Sequence, residues 1–76
     1  MNDPRLLFGK AVRTYRQRLA ISQEELAHRS GLDRSYIGQV ERGETNISLL
    51  NLVRIAGALE VGPDRLVKDI GQAPQL

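Results

Sequence analysis

Apolar positions recur along this chain at helical spacing, and no stretch alternates as a strand would. Leu7, Phe8, Ala11, Val12, Tyr15 and Leu19 form a first stripe that faces the core. Asp3-Pro4 opens that helix, because Asp is a good N-cap and Pro is tolerated at the first helical position. After a link at Ala20-Ile21, Ser22 with Glu25 three residues on has the spacing of a capping box. It predicts a second helix from Gln23 to about Ser30 that buries Leu26 and Ala27, ended by a positive φ at Gly31. Asp33 repeats the device: its carboxylate is expected to cap the amides of Arg34 to Tyr36 and to open a third helix through Arg42. Gly43 closes that helix, and Glu44-Thr45-Asn46 make a polar loop. Ser48 then caps a fourth helix to about Leu59, with Leu49, Leu52, Ile55, Ala56 and Leu59 as its core stripe. Gly62-Pro63 starts a short fifth helix through about Lys68, with Leu66 inward. The expected fold is all-α, a compact five-helix domain over residues 1–70, followed by a frayed tail over residues 71–76.

Two features exceed what a simple core requires. Ile47, Leu50 and Val53 extend the fourth stripe around its cylinder, and Val67 and Ile70 can face outward beside them. These five form either a dimer seam or a wider core. Gly9 costs the first helix roughly 1 kcal/mol relative to alanine, which points to a close helix approach or to simple tolerance.

Composition narrows the functional classes. Seventy-six residues make one domain, and three aromatics with no tryptophan make its core aliphatic. The absence of cysteine excludes disulfides and thiolate metal sites. No apolar run is long enough to span a bilayer and no signal peptide opens the chain, so a soluble, cytoplasmic protein is expected. His28, the sole histidine, is read as a surface residue, and no Ser-His-acid set, phosphate loop or metal spacing is apparent. The expectation is a protein with no enzymatic activity and no cofactor. A net charge of +2 says little; its distribution says more. Residues 1–20 hold Arg5, Lys10, Arg13, Arg16 and Arg18 against Asp3 alone, whereas residues 21–46 hold Arg29, Arg34 and Arg42 against five acids.

The third helix buries only Ile37 and Val40, leaving Arg34, Ser35, Tyr36, Gly38, Gln39 and Arg42 for another surface. Those polar types bond bases and phosphates, and two short capped helices separated by a small break have helix-turn-helix spacing. The segments SQEELA, Gly31-Leu32-Asp33, SYIGQVERG and ISLLNLVRIAGAL resemble the phage lambda-repressor type of helix-turn-helix protein, from about Leu7 to Leu66. More narrowly, LDRSYIGQVERGETNISLLNL resembles the controller proteins of restriction-modification systems.

The resemblance implies a sequence-specific transcriptional regulator that binds a palindromic double-stranded DNA operator as a homodimer, with RNA polymerase as a further partner. It makes Arg34, Ser35 and Gln39 the candidates for base contacts, since arginine suits guanine and glutamine suits adenine. Gln23, Tyr36, Arg42, Thr45 and Asn46 become candidates for phosphate contacts. Glu44, repelled by phosphate, is expected to point away. Arg16 is expected to reach Glu41 and tie the first helix to the end of the third. Family members usually carry glycine where this chain has Ala20, so the turn there is strained or built differently. Two alternatives stand beside this reading: an antitoxin or adaptor using the fold for protein interaction, and the DNA-binding domain of a longer repressor.

Overall fold

A computed structural model describes residues 3–70; the tail read above over residues 71–76 lies outside them. The described residues form five α-helices and no strand: α1 (Pro4–Arg18), α2 (Gln23–Ser30), α3 (Arg34–Glu41), α4 (Leu49–Ala58) and α5 (Pro63–Val67). α5 ends one residue short of the expected Lys68, and a 3-10 turn over Lys68–Ile70 follows it. α1 packs on α3 and α5, α2 on α3 and α4, and α4 on α5, around a core of Phe8, Val12, Leu26, Ile37, Val40, Ile55, Leu59 and Leu66 with Ala27 and Ala56. No helix among the described residues is long and apolar enough to cross a membrane.

Caps set most of the helix starts. Asp3 accepts from the Arg5 amide, Ser22 from the Glu25 amide at 2.9 Å, and Ser48 from the Asn51 amide at 3.1 Å. Two sequence expectations need correction. Glu25 turns to Arg29 at 2.8 Å, so only the Ser22 half of the capping box forms. Asp33 stands at the N-cap of α3 with extended backbone but makes no side-chain capping bond. What secures α3 instead is apolar: Leu32, just before the cap, and Ile37 both pack into the core, the two positions joined in a hydrophobic staple. The same spacing recurs at Ile21 and Leu26 before α2, Ile47 and Leu52 at α4, and Val61 and Leu66 at α5.

This device explains where the stripes were misjudged. Leu49, expected in the core, is 76% exposed, because the chain reaches α4 with Ile47 already turned inward. Leu19 is likewise exposed: it is the C-cap of α1, and Ile21 takes the core position beyond it. Between them Ala20 adopts φ 56, so the left-handed turn does form on a residue with a Cβ. Glu60 makes a second such turn at φ 61 after α4.

Gly9 marks a close helix approach. A Cβ there would fall 2.7 Å from the Glu41 carbonyl oxygen and closer still to that of Val40, so the backbone of α1 lies directly against the end of α3. Simple tolerance of glycine is thereby excluded.

Candidate nucleic-acid interface

The last turn of α3 is braced from two other helices. Glu41, its carboxylate only 4% exposed, accepts from Arg16 Nε at 2.6 Å and Nη2 at 3.1 Å, and from Gln23 Nε2 at 3.0 Å. Arg16 Nη1 also donates to the Ile21 carbonyl at 2.9 Å, tying in the turn before α2. The expected ion pair therefore forms, as part of a network that joins α1, α2 and α3. An anion so enclosed is tolerated because two donors of the guanidinium and one of the carboxamide meet it. The network also orients Gln23: an acceptor-only carboxylate fixes which end of the carboxamide faces Glu41.

α3 carries its core residues on one side. Ile37 and Val40 are buried, while Arg34, Ser35 and Gln39 are exposed together on the opposite side. Gly38 was read as part of the free surface and is instead buried. The Arg42 guanidinium covers it; a Cβ on Gly38 would lie 3.0 Å from Arg42 Nη1. Arg42 Nε in turn lies 3.0 Å from the Glu44 carboxylate, so Glu44 pairs with the cation beside it. Tyr36 is half-buried against the core, and its hydroxyl oxygen accepts from Asn51 Nδ2 at 3.2 Å. Nothing in the local sequence signals that bond, since Asn51 lies a helix away.

Thr45 and Asn46 lie in the expected loop between α3 and α4, beside the start of α1. With Pro4, Arg5, Phe8, Ile47, Val67 and Ile70 they line an apolar hollow of about 350 Å³. The Thr45 hydroxyl donates to the Asn46 carbonyl at 3.3 Å. Of the residues expected at a dimer seam, Leu50, Val53 and Val67 are exposed. Ile47 and Ile70 are partly buried against the core, as the wider-core alternative has them. Leu49 joins the exposed group, and sequence spacing missed it.

Three of the five cations of α1 have partners of their own. Arg5 pairs with Asp3 at 2.8 Å, Arg16 with Glu41, and Arg18 stacks over the Tyr15 ring at 5.0 Å. Hydrogen bonding to Arg5 holds the Asp3 carboxyl below the usual carboxylate range, and Arg29 does the same for Glu25. Among the described residues no group of three or more His, Cys, Asp or Glu side chains could hold a metal ion.

A helix-turn-helix family model matches residues 12–66 of the chain. The control protein C.BamHI of Bacillus amyloliquefaciens is 46% identical over 67 residues, spanning 87% of this chain and 83% of that protein. Among solved structures, the restriction-modification controller protein C.AhdI from Aeromonas hydrophila superposes with a TM-score of 0.80 at 48% identity, covering 82% of this chain and 94% of C.AhdI. The P22 c2 repressor, solved in complex with a synthetic operator, superposes with a TM-score of 0.75 at 36% identity over 80% of this chain and 92% of its own.

Proposed function

Since this chain belongs to the helix-turn-helix family of DNA-binding transcriptional regulators, we propose that it is the controller of a restriction-modification system, acting in the cytoplasm as a homodimer on a palindromic operator. The observation that carries this reading is the braced end of α3, which holds Arg34, Ser35 and Gln39 outward on a rigid helix in a chain similar to control proteins over most of its length. α3 enters the major groove. Arg34 donates to the acceptor edge of guanine, Gln39 bonds the acceptor and donor of adenine, and Ser35 contacts a neighbouring base. Gln23, Tyr36, Arg42, Thr45 and Asn46 bond phosphates and fix the register. Asn51 suits Tyr36 to that role, because a hydroxyl whose oxygen already accepts keeps its own proton for an outside acceptor. The unit that does this spans residues 1–70. The operator lies upstream of the regulator's own gene and of the endonuclease gene, and occupancy acts through RNA polymerase.

Selection from a random duplex pool, followed by mapping of the selected site onto the source genome, tests the reading. Arg34→Ala and Gln39→Ala are expected to lower the preference for the selected duplex over a scrambled one by roughly 1–3 kcal/mol, each relaxing one position. Arg42→Ala is expected to weaken both duplexes alike. A protein that selects no palindrome, or variants that leave the preference intact, would overturn the assignment.

A further inference from the structure

We propose that the cleft between α1 and the end of α5 is a docking site for an acidic peptide segment of a second protein, open while α3 is on DNA. Lys10 and Arg18 of α1, with Arg65 of α5 and Lys68 just after it, line one hollow of about 300 Å³, in which Asp69 is the one acid. All four cations are exposed, and none is paired with a carboxylate among the described residues. Elsewhere the chain holds seven cations against eight acids, so the whole of its positive excess is gathered here. Like charges brought together repel one another and focus a positive field in the cleft, which a bound anion relieves.

α1 turns this cleft away from the recognition helix. Gly9 and Arg16 meet α3, while Thr14, in the cleft, stands about 160° around the helix from Arg16. A duplex held by α3 therefore lies beyond the opposite flank of α1, and the cleft stays free for a partner. Its floor decides which polyanion fits. Leu7, Ala11 and Tyr15 are partly buried beside the cations, an apolar strip that matches a peptide in which acidic residues flank an aliphatic one. A duplex presents phosphates and sugars at its surface, with no side chain to reach such a floor. Tyr15, the one aromatic ring there, is packed against the core and carries the Arg18 guanidinium at 5.0 Å, which closes it to a stacking base.

The test uses the full chain with a short labelled peptide alternating aspartate with leucine, the same peptide with asparagine for aspartate, and a duplex of random sequence. The aspartate peptide is expected to bind, more tightly at low salt, and to stay bound when the duplex is saturating; the asparagine peptide should bind about tenfold more weakly or less. Arg65→Gln and Lys68→Gln should each weaken the aspartate peptide about two- to fivefold and together about tenfold, the range for exposed charge pairs. Arg54→Gln, which removes an exposed cation outside the cleft, should leave it unchanged. Both cleft variants should hold the duplex as the unmodified protein does, with the same dependence on salt. If the double variant instead loses duplex affinity and its slope of log affinity against log salt falls by about two, the cleft holds phosphate and the peptide assignment is wrong. Displacement of the peptide by the duplex would equally overturn an open cleft. Peptide binding that is absent, that the asparagine peptide matches, or that Arg54→Gln weakens as much as the cleft variants do, would leave no specific acidic site. Whether α3 selects a palindrome affects none of these readings. Thermal melting of each variant checks that the fold is intact.

Discussion

Gly9 and Gly38 both lie in helices, yet a methyl group added to each meets opposite surroundings. At Gly9 the neighbours are the carbonyl oxygens of Val40 and Glu41, which cannot yield without moving α1 off α3. Gly9→Ala is expected to destabilise the fold by about 1–3 kcal/mol, the range for forced overpacking, despite alanine's better helix propensity. At Gly38 the nearest atom is the far end of the Arg42 side chain, which can swing away. Gly38→Ala should therefore raise stability by up to about 1 kcal/mol through propensity alone. Urea denaturation of the two variants distinguishes them by sign; the same sign for both would contradict the approach at Gly9 or the mobile end of Arg42.

Among elements, the coupling of α1, α2 and α3 passes through one carboxylate. With Glu41 4% and Arg16 14% exposed, removing either partner leaves a charge without its counterpart, at a cost of about 3 kcal/mol or more. Arg16→Met with Glu41→Leu should recover much of the loss, and a double-mutant cycle measures the coupling; additive effects would mean that the pair contributes nothing jointly. The pair itself was foreseeable from the resemblance of these segments to lambda-type repressors, and helix order and most caps from capping residues and glycines. What local spacing could not supply was where each helix meets its neighbours. Leu49 and Leu52 are equally good members of a stripe, but only the second packs against the core, where the apolar residue before the cap, Ile47, packs as well. The signal was present all the same, as an apolar pair five residues apart across each of four helix starts. The polar surface divides in the same way. Arg34, Ser35 and Gln39 are outward by helical spacing alone, whereas Arg42 over Gly38 and Tyr36 beneath Asn51 depend on a chain reversal and on a distant helix.

At the scale of the whole molecule, one recognition helix reads only a few base pairs, and in the proposed dimer a twofold partner placing a second helix about 34 Å away supplies the rest. The proposed twofold needs a self-complementary patch, and Leu49, Leu50, Val53 and Val67 are exposed large apolar residues on two packed helices. Leu50 is 60% exposed, so Leu50→Glu should leave the melting of the single chain nearly unchanged while abolishing dimers in sedimentation. Operator affinity should then fall to the level of arbitrary DNA. A variant that remains dimeric would move the seam elsewhere. Those exposed leucines also bear on time. If they are covered only by a second copy, then in a dilute pool the dimer grows as the square of the chain concentration, and halving that concentration leaves about a quarter of the dimer. A newly made pool would then wait, ineffective, until enough chains had accumulated to meet, and growth of the surrounding volume would silence it sooner than it emptied it.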